Sequence, residues 1–175
     1  MRTPPPLPWR YPFQLDVPRF REVLRPVVSV RLRGADLSSG VIALVDSGNE
    51  HILAGPWLAS DTAVDLTNPK HVDTLGIGGR NVTVKFVDMH VRLQHPSGGD
   101  DDFIEWEAEV GFPNYWGASW PVLLGQHGFF DQFTVSMHRS AALTVVEEWQ
   151  AFDERFGIEL GEADEHTLRH PRHSR

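Results

Sequence analysis

The chain has no cysteine among its 175 residues. That absence excludes disulfides, zinc–thiolate centres, iron–sulfur clusters and cysteine nucleophiles together. Long apolar runs are missing too: nothing approaches the roughly 18–20 consecutive apolar residues that span a bilayer as a helix. Met1–Pro6 lacks the apolar core of a secretory signal. There is no run of Lys or Arg either. With 16 Lys+Arg against 24 Asp+Glu the formal net charge is -8, which makes a phosphate backbone a poor partner. These absences lead to the expectation of a soluble, cytoplasmic protein with no membrane or nucleic-acid partner, no metal and no cofactor.

What is present is β pattern. Five prolines precede Phe13, so residues 1–12 are expected to be extended or irregular. Val28–Arg33 alternates apolar and polar, as a half-buried strand does. Val41-Ile42-Ala43-Leu44-Val45 is fully apolar and rich in β-branched residues, a buried strand running straight into Asp46-Ser47-Gly48. Val82, Val84 and Phe86 alternate, as do Met89, Val91 and Leu93. Ile104, Trp106, Ala108 and Val110 share one face of a strand, opposite Glu105, Glu107 and Glu109. Leu53–Ala63 and Gln126–Phe133 have room for short helical turns, and Phe133, Val135 and Met137 form a closing strand. Val145, Trp149, Phe152 and Phe156 recur at spacings of 4, 3 and 4, which predicts an amphipathic helix from Thr144 to Phe156, stopped by Gly157. The polar residues that follow are expected to be disordered.

Three features bear on chemistry. A strand delivers Asp46-Ser47-Gly48 into a turn. Gly76-Ile77-Gly78-Gly79 begins thirty residues later. A second apolar run, Val122-Leu123-Leu124, ends at Gly125. In this order and spacing the chain resembles the retropepsin-like aspartic proteases, the single-domain class that includes the retroviral enzymes. The resemblance spans Val27 to Met137, about 110 of the 175 residues. It implies a mostly β, closed-barrel acid-protease fold with a short internal helix. Asp46 would be the catalytic carboxylate, Ser47 and Gly48 its active-site loop, and Gly76, Ile77, Gly78 and Gly79 a substrate-covering flap. Leu123, Leu124 and Gly125 would be the segment packed beneath the loop. It also implies a homodimer, because each chain supplies one Asp, and a peptide or protein substrate. Ser47 would hold the two loops together, and Gly48 would let the loop turn without a Cβ clash. Asn49 stands where the family commonly has alanine, and Gln126 where it often has arginine.

Plainer readings stand beside these. Asp46 also reads as a turn aspartate closing a strand, and Gly76–Gly79 as an ordinary hairpin turn. His51 reads as a surface-loop residue sooner than a relay partner. Asp100-Asp101-Asp102 lacks the EF-hand pattern and reads as a solvated loop. His166, His170 and His173 read as incidental. The expected organisation is a Pro-rich extension over 1–26, a retropepsin-like domain over 27–140, a C-terminal helix over 141–160 and a tail over 161–175. The expected function is an aspartic endopeptidase working through an Asp46/Asp46 dyad. Its alternative is a catalytically inactive barrel used for dimerisation or peptide binding.

Overall fold

A computed structural model of the chain describes residues 9–16, 23–35, 37–77, 79–97 and 101–156. Gly78, Asp100, most of the Pro-rich start, the helix-stopping Gly157 and the histidine-rich tail lie outside the described residues. In chain order the strands are β1 (Trp9–Pro12), β2 (Gln14–Asp16), β3 (Val23–Arg25), β4 (Val27–Arg33), β5 (Ser38–Val45) and β6 (Ile52–Ala54). A five-residue helix, α1 (Trp57–Asp61), leads to β7 (His71–Ile77), β8 (Arg80–Gln94), β9 (Phe103–Pro113) and β10 (Val122–Leu124). The chain continues through β11 (Phe133–His138) and β12 (Leu143–Glu148) to α2 (Trp149–Phe156).

The expected mostly β, closed-barrel fold is the one that forms. Six strands are hydrogen-bonded in the order β4-β5-β10-β6-β9-β8, and β8 returns to β4 to close the ring, with β7 outside it on β8. Closure removes the exposed edges that invite aggregation. Alternation decides which side chains enter. Val28, Val30 and Leu32 of β4 point inward with Val87, Met89, Val91 and Leu93 of β8, all buried. Residues beside them on the outer face carry ion pairs. Glu105 on β9 binds Arg92 on β8 and lies 3.4 Å from Arg33 on β4. The Arg92 hydrogen bond, aided by the charges of Arg92 and Arg33, holds the Glu105 carboxyl below its usual value of 4.5. A depressed carboxyl stabilises the fold above its unfolded pKa and loses that contribution as pH falls through the folded one. Thermal melts from pH 7 down to pH 3 should therefore show a decline that Glu105→Gln makes shallower.

Outside the barrel, β1, β12 and β11 form a three-stranded antiparallel sheet in that order. Burial drives the Tyr11 hydroxyl well above the usual tyrosine range, so it stays protonated and donates to the Gln94 carbonyl at 2.5 Å. That bond ties β1 to the barrel. Within the Pro-rich start, Trp9–Pro12 is extended, as a strand paired with β12. One expectation is corrected here: the helix foreseen from Thr144 begins only at Trp149, because Leu143–Glu148 pairs with β11 and Leu143–Val146 also with β1. Thr144 and Val146 face the core in strand alternation, and pairing on two sides overrides a helical spacing of aromatics.

Ala142, in the link between β11 and β12, has φ +49°. A side chain with a Cβ costs roughly 1–2 kcal/mol there. Ala142→Gly should raise stability, by about 0.5 kcal/mol after the added chain entropy of glycine, measured by urea denaturation.

Candidate active site

Asp46 stands at the end of β5, half-buried, and its position comes from a threaded arrangement of strands. β5 and β6 flank the Asp46–His51 loop in sequence, yet they are not neighbours. β10, from seventy residues further on, lies between them, parallel to β5 (Leu124 opposite Val45) and antiparallel to β6 (Val122 opposite Ala54). The stretches that meet here, Val41–Val45 of β5, Ile52–Ala54 and Val122–Leu124, are short and apolar. Val122 and Leu124 face the barrel core, while Leu123 faces the other way.

The loop is held down from this threaded strand. Asp46 N–H donates to the Leu124 carbonyl at 3.0 Å, Gln126 N–H to the Asn49 carbonyl at 2.9 Å and His127 N–H to the Glu50 carbonyl at 2.7 Å. Inside the loop, Asp46 Oδ1 accepts Gly48 N–H at 3.1 Å and the Asp46 carbonyl accepts Asn49 N–H at 3.1 Å. Two side-chain amides close the remaining gaps. Asn49 Nδ2 donates to the His51 carbonyl at 2.7 Å, and Gln126 Nε2 donates to the Ser47 carbonyl at 2.6 Å. Sequence reasoning marked Gln126 as a departure without finding this role, since its partner is 79 residues away.

Gly125 is the close-approach glycine. An added Cβ there would collide with the His51 carbonyl oxygen and lie 2.6 Å from that of Asn49. Gly48 differs from expectation. Among the described residues a Cβ on it would meet only Asp46 Oδ1, at an ordinary 3.4 Å, and its φ is not in the left-handed region, so none of them demands glycine at 48. Ser47 and Gly48 are both exposed.

β7 and β8 make the hairpin expected of Gly76–Gly79. Ile77 pairs with Arg80 across the end of the hairpin. Gly79 has φ +78°, which glycine adopts without strain; Gly76 has open space and no such need. β9 reaches only as far as Val84, opposite Pro113, so the outer hairpin projects beyond the barrel. Its base packs on a second apolar cluster of Leu53, Val82, Val84 and Phe86. Leu75, Ile77, Trp116 and Leu123 are partly covered around it. The cluster is tight: a Cβ on Gly111 would lie 2.7 Å from both Phe86 and Val84. The 114–120 segment is a neighbour that sequence reasoning missed. Asn114 N–H bonds the Thr83 carbonyl, and the Arg80 guanidinium sits 5.2 Å over the Tyr115 ring. Thus the hairpin, β6, β10 and the 114–120 segment bound a half-open apolar surface beside the Asp46 loop.

His51 is half-buried, with its ring edge-on to Phe86 at 5.0 Å. His127 lies 3.8 Å from Glu50 and 3.5 Å from Asp131, all three exposed. Asp102 lies 3.5 Å from His95. Among the described residues no group of three His, Asp or Glu side chains is placed to hold a metal ion, and no helix is long and apolar enough to cross a membrane.

No family model and no curated protein matches the sequence. Among solved structures the chain is similar to the retroviral protease-like domain of Ddi1 from Leishmania major. Identity is 14%, the TM-score is 0.42, and the match covers 70% of this chain and 89% of that one.

Proposed function

We propose that the chain is one half of an aspartic endopeptidase, with Asp46 paired to Asp46 of a second copy across a two-fold axis. The observation that supports this most is the placement of Asp46. A carboxylate sits at the mouth of a strand, on a loop whose carbonyls at positions 47, 49 and 50 all accept hydrogen bonds from residues 126 and 127. An isolated turn aspartate needs no such support. An exposed Ser47-Gly48 tip leaves room for a twin loop.

The chemistry follows from two carboxylates at close range. At roughly 3 Å both cannot ionise cheaply, so they share one proton and titrate as a pair. The ionised member takes a proton from water, which attacks the peptide carbonyl. The protonated member donates to the carbonyl oxygen as it gains charge; the first carboxyl then gives the proton it took from water to the amide nitrogen as the C–N bond breaks, releasing an amine and a carboxylic acid. The peptide lies extended under the β7–β8 hairpin, its apolar side chains against Leu75, Ile77, Trp116 and Leu123. Closing of the hairpin excludes water from the reacting bond.

The test is cleavage of an unbiased peptide mixture by the full chain, assayed from about pH 3 to about pH 7 because the pair works only while it holds one proton, with products mapped by mass spectrometry. Sites flanked by large apolar residues are expected, and the Asp46→Asn chain should produce none. Equal cleavage by both chains, or none by either at any pH, sinks the proposal; the second outcome leaves a non-catalytic barrel that binds peptides or its own copy.

A further inference from the structure

We propose that the space between the barrel and the outer sheet is a binding site for a small apolar molecule that carries a primary ammonium group. A cavity of about 160 Å³ lies there. Leu93 of β8 and Ile104 of β9 line it from the barrel; they oppose each other in register and so share a face. Trp9 of β1, Val146 of β12 and Phe133 of β11 line it from the outer sheet, and Ala151 of α2 completes the lining with a side chain of one carbon. Protein interiors leave few spaces this large, because unfilled volume forfeits contacts. An engineered apolar cavity of roughly 150 Å³ takes benzene, so one ring with a short chain is the size that fits.

The strand register puts a charge beside this apolar space. Trp9 opposes Val146, and Phe133 opposes Glu148. Val146 and Glu148 are two residues apart on one strand, so all four side chains share one face of the outer sheet. Glu148 thus stands where alternation would place an apolar residue to finish the packing. It lines the cavity and is exposed, so the cavity reaches solvent at this end. Among the described residues the Glu148 side chain makes no hydrogen bond or ion pair, and no Lys or Arg lines the cavity, whereas Glu147 does. A carboxylate beside two aromatic rings suits a hydrophobic ammonium. The charge takes the carboxylate and the ring faces, and the carbon skeleton takes Leu93, Ile104 and Val146. An anion would meet two glutamates instead. Such a group has two sources, a free arylalkylamine and the N-terminus of a peptide that begins with a large apolar residue. None of the lining residues belongs to the Asp46 loop, and the inference does not rest on the peptidase reading.

The test is an NMR titration of the ¹⁵N-labelled full chain at about pH 7, where carboxylates and amines are both ionised. Amide shifts at Val146 and Ala151 report occupation of the cavity. 2-Phenylethylamine should bind with a Kd of about 1 mM, its neutral isostere 2-phenylethanol about fivefold more weakly, and phenylacetate not at all up to about 10 mM. Glu148→Gln changes an exposed side chain, so the fold should survive; it should weaken the amine about fivefold and leave 2-phenylethanol unchanged. Ala151→Leu fills the space and should abolish binding of both; if that variant does not fold, Glu148→Gln decides alone. Phenylalanyl-glycinamide separates the sources. Tighter binding than 2-phenylethylamine assigns the site to a peptide N-terminus, and weaker binding to a free amine. Absence of amine-induced shifts at Val146 and Ala151 up to about 10 mM overturns the inference, and means that the chain's own residues fill the cavity. So does phenylacetate binding as tightly as the amine, or full amine affinity in Glu148→Gln.

Discussion

Asp46→Asn is expected to lower kcat/KM by at least about a thousandfold, a loss of about 4 kcal/mol of transition-state stabilisation. Asparagine keeps the shape of the side chain and a carbonyl oxygen for the Gly48 N–H that Asp46 Oδ1 now accepts. The loop should therefore keep its form, and the urea midpoint should move little. What disappears is the ability to take a proton from water and to share one with the twin carboxylate. The substitution also tests whether each chain holds half a site. If Asp46→Asn chains exchange with wild type, only wild-type pairs work, and activity should fall as the square of the wild-type fraction. An equal mixture then retains about one quarter. A linear fall to one half means that each chain acts alone, and the paired-carboxylate reading goes with it.

The parts of this site legible in the sequence are those that local pattern controls. The apolar, β-branched run Val41–Val45 reads as a buried strand, and it ends at Asp46. Val122-Leu123-Leu124, ending at Gly125, reads the same way. The hairpin is visible in the glycines between alternating segments. What stayed hidden depends on partners remote in the chain. That β10 passes between β5 and β6 is a consequence of barrel closure, not of any local spacing. The role of Gln126 depends on a carbonyl 79 residues away. β12 was masked for a related reason. The aromatics at 149, 152 and 156 suit a helix, and extending their spacing back to Val145 ignores that Thr144 and Val146 alternate into the core between two strands. Short apolar segments are ambiguous between helix and strand until their neighbours are known.

The Asp46 loop is supported inside one chain, by the Gln126 amide on Ser47 and the Asn49 amide on His51. Neither contact draws on a partner. If two copies pair at Asp46 as proposed, their association is stabilised by other surfaces.

Gly125 and Gly48 separate support of the loop from pairing of the loops. Gly125→Ala drives a Cβ into the His51 and Asn49 carbonyls. Both obstacles are backbone, so no flexible side-chain end can swing aside. Relief requires the strand end and the loop to part, which lengthens the bonds from Gln126 N–H and His127 N–H. Overpacking of this kind costs about 3 kcal/mol. The penalty is steric alone, since φ at Gly125 is -98°, a value alanine adopts freely. Gly48→Ala should leave the single chain within about 1 kcal/mol of wild type, because its Cβ meets only ordinary contact. If the exposed Ser47-Gly48 tip abuts its twin, however, that methyl falls in the joint between the loops. Gly48→Ala should then lose cleavage while keeping its urea midpoint, whereas Gly125→Ala should lose both. A Gly125→Ala chain as stable as wild type would mean that the threaded strand does not brace the loop, and a fully active Gly48→Ala chain would mean that the two loops do not meet at position 48.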